Sequence, residues 1–409
     1  MHILFLTDNF PPEVNAPASR TFEHCREWVK AGHRVTVITG VPNFPKGKVF
    51  SGYSNRLWQR ETMDGIEVVR VWTYVTANEG FARRILDYLS FMASAMLAAP
   101  WIRGVDVIVG TSPQFFTACA AYVVSIVKRR PWVFELRDLW PETIKAVGAM
   151  KESAAIRALE RLEVFLYRKS DAIVSVTNSF KRVLISRGID GDKIHVVTNG
   201  VDLSQFTPRT KDQQILQRHG LEGKFVVGYI GTHGMCQALE TVIEAADTLR
   251  SEDVSFLLLG DGARKQSLQE LAQARGLSNV VFLDTVGKPE VPGYWSILDV
   301  SITHLQRSPL FTTVIPSKMF ESMGMGIPVL HGVEGESAEI VEKYGVGEAF
   351  TPENSKELCD RIMGFCRDRV RLASYKRNCL ESAQDFDRSA LAMNMLSVLQ
   401  SVAGRYSRR

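Results

Sequence analysis

The chain has 409 residues, of which 45% are hydrophobic and 23% charged, so it has apolar material for real cores, and disorder and collagen-like repetition are excluded. At about 150 residues per domain this length implies two or three domains, and a net charge of +4 is too small to mark a nucleic-acid binder. The six cysteines (Cys25, Cys119, Cys236, Cys359, Cys366, Cys379) form no CxxC pair and match no histidine spacing, so they read as reduced thiols, and no metal site is expected.

The start is a short apolar run with neither a basic leader nor a small-residue cleavage site, and it reads as a first strand in the cytosol. Strand-like and helix-like runs then alternate, the pattern of an α/β protein with a parallel sheet. In the first half strands are expected at His2 to Thr7, Arg34 to Thr39, Ile66 to Val71, Val105 to Thr111, Trp132 to Leu136, Ala172 to Thr177 and His195 to Val197. One apolar stretch, Tyr88 to Ile102, has 15 residues, too few to span a bilayer, which needs about 20. It reads either as a buried helix or as a helix whose Tyr, Phe, Met and Trp side chains face a membrane interface, with Arg83 and Arg84 in front of it. Asn199-Gly200-Val201-Asp202 is a turn signature, and the linker is placed at about 201–210. The series then restarts at Phe225 to Ile230, Ser255 to Leu259, Val280 to Leu283, Val300 to Thr303, Pro328 to Leu330 and Gly347 to Phe350. After Pro352 the pattern is helical, and Leu391, Met395, Val398, Leu399 and Val402 form one stripe on the last helix. The expected organisation is therefore two doubly wound, Rossmann-like domains facing a cleft, at 1–200 and 201–380, with a helix at 381–409 packing back on the first.

In open parallel sheets ligands bind beyond the carboxyl ends of the strands. After the first strand comes a long loop of small residues with Asn15, Ala16 and Arg20 where a helix begins, suited to an anionic group. It fits neither the P-loop nor the dinucleotide fingerprint. After the first strand of the second half stands Gly231-Thr232-His233-Gly234, again ahead of a helix, and the alternative reading is a tight turn that needs glycine. Leu259-Gly260-Asp261-Gly262 is ordinary turn chemistry by itself.

Taken in order, the motifs resemble the family 4 glycosyltransferases of the two-domain GT-B type. They are Ala31 to Thr39 (AGHRVTVIT), Ile194 to Asp202 (IHVVTNGVD), Phe256 to Gly262 (FLLLGDG), Asn279 to Leu283 (NVVFL) and Pro316 to Val329 (PSKMFESMGMGIPV). With Phe134 to Glu142 (FELRDLWPE), they look most like the bacterial surface-polysaccharide branch that transfers an N-acetylated deoxyhexosamine such as N-acetyl-L-fucosamine. The resemblance implies a retaining, metal-independent hexosyltransferase that uses a UDP-sugar as substrate and needs no cofactor. In the family an acidic pair seven residues apart grips the donor; Glu321 fills the second place and Thr313 the first. The Arg and Lys that clamp the diphosphate correspond here to Thr232 and Gln237.

A departing diphosphate without a cation in a dry cleft is expensive. Lys318, one helical turn before Glu321 and next to Ser317, is the first candidate for that cation, with Arg20 and Arg307 behind it. On the acceptor side Arg137 is followed by Asp138 and Glu142; one of these carboxylates is expected to touch the acceptor hydroxyl, the alternative being an ion pair with Arg137. His233 and His304 read as packed rather than catalytic.

The expected activity is transfer to a glycan carried on a polyprenyl diphosphate, in O-antigen or capsule synthesis. The protein would then be cytoplasmic and peripheral on the inner face of the bacterial cytoplasmic membrane. The alternatives are a UDP-sugar 2-epimerase, which the NGVD and PSKMFE motifs disfavour, and a non-catalytic nucleotide-sugar-binding regulator, which the Thr313, Thr232 and Gln237 departures favour.

Overall fold

Short Val-, Ile- and Leu-rich runs bounded by turns make strands that must be covered on both faces, and this chain builds two sheets from them. The computed structural model describes residues 1–44, 47–76, 81–139 and 153–407. It divides into one unit of Met1–Thr198 with Arg388–Arg409 and a second of Asn199–Asp387.

The first unit holds β1 (His2–Leu6), β2 (Arg34–Thr39), β3 (Trp58–Met63), β4 (Ile66–Val71), β5 (Val107–Thr111), β6 (Trp132–Leu136), β7 (Ala172–Ser175) and β8 (Ile194–Val196). Their order is β3-β4-β2-β1-β5-β6-β7-β8, and all pairs are parallel except β3 with β4. The sequence reading has no β3, because Trp-Gln-Arg-Glu-Thr-Met lacks the apolar run of its neighbours. Its signal is the turn behind it: Asp64 and Gly65 both have positive φ, 48° and 80°, the geometry of a two-residue Asp-Gly hairpin.

The second unit holds β9 (Phe225–Ile230), β10 (Val254–Leu259), β11 (Val280–Leu283), β12 (Val300–His304), β13 (Val329–Gly332) and β14 (Gly347–Ala349), in the order β11-β10-β9-β12-β13-β14. Every pair is parallel. In each unit the strand order reverses at the first strand, β1 or β9, so the loops that leave these two strands sit where such sheets bind ligands.

The last helix, Arg388–Ser407, belongs to the first unit. Trp28 of the helix Ala16–Lys30 donates from Nε1 to Ala392 O at 2.8 Å, and Leu391, Met395, Leu399 and Val402 share a core cluster with Phe5 and Trp28. The apolar stretch after Tyr88 is divided: in the helix Phe81–Ala98 and the turn behind it Phe91, Ala95, Ala98, Ala99 and Ile102 are buried, while Leu97 and Trp101 are exposed. A membrane-facing reading of its Phe fails on that burial. Among the described residues no helix is long and apolar enough to cross a membrane.

Candidate active site

In the second unit, β9 delivers the chain to the Gly231-Thr232-His233-Gly234 turn. The helix that follows starts only at Glu240, after a 3-10 turn at Met235–Gln237. The turn is therefore not itself a helix N-terminus. Two of its N–H groups are already used, Gly231 to Leu259 O and His233 to Asp261 O, both at 2.9 Å. These bonds stitch the turn to the loop after β10. A Cβ on Gly260, whose φ is +149°, would lie 1.9 Å from Gly231 O, so only glycine permits the approach.

Lys318 opens the helix Lys318–Gly324. Its Nζ lies 3.6 Å from the centroid of the Tyr229 ring and against Gly231, where a Cβ would be 2.8 Å away. The ring is pinned by a 2.8 Å bond from Tyr229 Oη to Thr232 O. No hydrogen bond or salt bridge to Lys318 exists among the described residues, and burial brings its ammonium down to about 7, with Glu321 opposing the fall. Glu321 lies in the first turn of the same helix, half-buried. The result is a desolvated ammonium on an aromatic face, short of an anion.

The other expected residues of this unit have local work. Thr313 Oγ1 donates to Leu310 O at 2.7 Å. Ser317 holds the N-cap place of the Lys318 helix, with helical angles and no side-chain cap bond. His233 is fully buried between Tyr229 and Phe282, both ring nitrogens without a partner, and burial lowers it to about 4. It is neutral packing. His304 lies between Gln237 O on Nδ1 and the Glu353 N–H on Nε2, stacked on Phe350. Arg307 pairs with Glu334 at 3.5 Å.

In the first unit Asn15 caps the helix Ala16–Lys30, accepting from Ala18 N at 2.9 Å. Arg137 closes over that helix start, donating to Ala16 O at 3.2 Å and Pro17 O at 3.3 Å. Burial lowers its guanidinium to about 10, against the pull of Glu135. Arg20 is not a spare cation: at 3% exposure it pairs with Glu135 at 2.9 Å and donates to Thr198 O and Val197 O. Asp138 is half-buried, its N–H on Ser112 Oγ at 3.2 Å. Glu142 lies outside the described residues.

Beside β1 lies a 220 Å³ cavity whose lining includes Asp8, Asn9, Glu13, Arg84 and Asp87. Burial raises all three carboxyls; Asp8 and Asp87 also feel their acidic neighbours, and Asp87 reaches about 7. Near neutral pH such a pocket offers both O–H donors and carboxylate acceptors, which suits vicinal hydroxyls. Among the described residues no group of three or more His, Cys, Asp or Glu is placed to hold a metal ion. A carboxyl whose pKa rises on folding opposes folding once it ionises, so its cost grows as pH climbs from about 4 to about 7. Asp87→Asn should therefore raise the melting temperature more at pH 8 than at pH 5; an equal change at both pH values would contradict the burial argument.

The model of the glycosyl transferase 4-like domain matches residues 15–200, and that of the glycosyl transferases group 1 matches residues 211–385. The chain belongs to the family 4 glycosyltransferases. The glycosyltransferase is 26% identical over 371 residues to the putative colanic acid biosynthesis glycosyl transferase WcaI of Escherichia coli, covering 88% of this chain and 90% of that one. It is 24% identical to the probable glycosyltransferase WbjE of Pseudomonas aeruginosa, over 72% and 74% of the two chains. Among solved structures, Anabaena HepE in complex with UDP and glucose superposes with a TM-score of 0.72 at 19% identity, over 98% of this chain and 100% of that one. The fold is GT-B.

Sequence reasoning about the glycosyltransferase missed Tyr229, which a strand pattern shows only as one more apolar position. It also missed the grouping of Asp8 and Glu13 with Asp87, which lies far from them in the chain and lines the same cavity, as does Arg84.

Proposed function

We propose that this glycosyltransferase transfers an N-acetylated deoxyhexosamine, N-acetyl-L-fucosamine in the nearest reading, from its UDP-sugar to a polyprenyl-diphosphate-linked glycan in surface-polysaccharide synthesis. Transfer retains the anomeric configuration, needs no metal and takes place at the inner face of the cytoplasmic membrane. The observation that carries the reading is Lys318: a desolvated ammonium with no anionic partner in contact, one turn from Glu321.

In this reading the donor belongs to the second unit. Glu321 accepts from the two ribose hydroxyls, Lys318 faces the diphosphate, and the Gly231 turn leaves room for it. The acceptor belongs to the first unit, where Asp8, Glu13 and Asp87 take its hydroxyls and Arg137 holds the Ala16 helix start. The bond from the acceptor oxygen to the anomeric carbon forms as the bond to the diphosphate oxygen breaks, both on one face of the sugar. The acceptor proton leaves to that phosphate oxygen or to Asp138. Lys318 matters most at this moment, because charge on the leaving group peaks there.

Glu321→Gln should weaken UDP binding about tenfold or more, since a hydrogen bond to a charged group contributes roughly 1.5–3 kcal/mol; calorimetry giving an unchanged affinity removes Glu321 from the ribose. The reading as a whole is tested by incubation with a panel of UDP-sugars and a lipid-linked acceptor, followed by mass spectrometry. The expected result is an acceptor heavier by one sugar, with UDP released. Interconverted UDP-sugar without transfer would make the protein an epimerase, and binding without turnover a regulator.

A further inference from the structure

The helix Phe115–Lys128 carries no charge before its last residue. Helices apolar all round are normally buried, and one face of this one is: Ala118, Ala121 and Val124 pack into the core. The other face is not. Val123, Ile126 and Val127, at i, i+3 and i+4, are 39%, 58% and 62% exposed. The helix packs against the helix Phe81–Ala98 and the turn Ala99–Trp101, whose Leu97 and Trp101 are 76% and 73% exposed. On its other flank Tyr122 meets Phe165 edge-on at 5.3 Å, from the helix Ala154–Lys169, where Leu162 and Phe165 are also exposed. Three neighbouring elements thus offer apolar side chains to solvent together, which isolated surface leucines do not do.

The exposed charges on the three helices of this face have one sign, while Glu61 and Glu67 line the pocket beside Trp101 and Arg103. Among the described residues of the three helices, every exposed charged side chain is basic: Arg83, Arg157, Arg161, Arg168 and Lys169. Arg103 follows the Trp101 turn and Arg129 caps the middle helix, both exposed. Lys128 Nζ is bonded to Ile102 O at 2.6 Å, which ties the basic end of the middle helix to the Trp101 turn. An apolar centre with a tryptophan at its edge and a mainly basic surround fits a bilayer interface with anionic headgroups.

We propose that this face, centred on Val123, Ile126, Val127 and Trp101, is the surface by which the protein docks on an anionic lipid bilayer. The inference rests on the reading of a lipid-linked acceptor and names the surface that reading needs. Of the Arg83-Arg84 pair that the sequence singles out, Arg84 takes no part, because it turns to the Tyr88 hydroxyl at 3.0 Å and lines the acidic cavity instead.

Flotation with vesicles of neutral phosphatidylcholine, with and without phosphatidylglycerol, tests it. The wild-type chain should float with the anionic vesicles, and less so as salt rises. Ile126→Gln with Val127→Gln should cut that binding by about tenfold or more, and Arg129→Ser with Arg103→Ser by a similar factor that salt erases. Circular dichroism and UDP affinity should stay at wild-type values in both, so lost binding is not lost fold. Transfer to a short soluble acceptor should also survive, which separates this proposal from the glycosyl-transfer reading: failure there with intact flotation overturns that reading alone. No preference for anionic vesicles, or flotation untouched by either pair, overturns the docking surface. So does a wild-type dimer in light scattering that Ile126→Gln with Val127→Gln dissolves, since the face would then be covered by a second copy.

Discussion

Lys318→Met should lower turnover at saturating donor by about 100- to 1000-fold, the size of effect found when one preorganised group that stabilises developing negative charge is removed. The fold should not suffer. An ammonium whose folded pKa, about 7, lies below its unfolded value costs stability at pH 6, and that cost shrinks as pH rises toward the unfolded pKa. The variant should therefore be more stable than wild type at pH 6, by a margin that narrows toward pH 9. Binding has its own sign. At pH 8 most Lys318 side chains are neutral in the free protein, and an arriving diphosphate favours the charged form. UDP should therefore take up protons from solution, visible as a binding enthalpy that changes with the ionisation enthalpy of the buffer, and affinity should fall from pH 7 to pH 9. Lys318→Met should remove the part of this uptake that UDP's own phosphate does not supply. If turnover and proton uptake both match wild type, the cation is elsewhere.

Arg20→Met should destabilise the first unit by about 3–5 kcal/mol, the usual result of removing one partner from a buried ion pair. Glu135 is 1% exposed and its Oε2 already lacks a partner, so the loss of Arg20 strands the carboxylate. Burial alone would raise the Glu135 carboxyl, but Arg20 and Arg137 outweigh it and hold it below the usual range. That stabilisation is present above the unfolded pKa and is lost as pH falls through the folded one. Arg20→Met with Glu135→Leu should recover most of the loss in urea unfolding at pH 7, because a matched apolar pair needs no charge. A double variant as unstable as the single one would mean that the bonds to Val197 O and Thr198 O carry the effect.

Arg20 also shows where sequence reading stops. Its place at the start of a helix after β1 is visible in the chain, and from there it reads as an anion binder. Its partner, Glu135, lies on β6, and only the parallel register between the strands brings the two together. The strands themselves are legible because burial on both faces demands continuous Val and Ile, and Arg34–Thr39, Ile66–Val71, Trp132–Leu136, Phe225–Ile230 and Val280–Leu283 have the expected ends. β3 escapes because an edge strand tolerates polar residues. In the second unit the Gly231 turn and the PSKMFE segment are readable as motifs, while the Tyr229 ring under Lys318 is not. It converts an ordinary surface lysine into a desolvated one, and nothing in the residue order records that contact. The acidic cavity is hidden for the same reason: Asp87 reads as the polar end of an apolar stretch until the fold sets it beside Asp8.

A structure of the protein with UDP bound decides the matter of Lys318. The account predicts that Nζ leaves the Tyr229 ring or pivots on it to reach a diphosphate oxygen at about 2.7–3.2 Å, with both Glu321 carboxylate oxygens on the ribose hydroxyls. A diphosphate bound elsewhere, with Lys318 still on the ring and no anion in contact with it, would contradict the account.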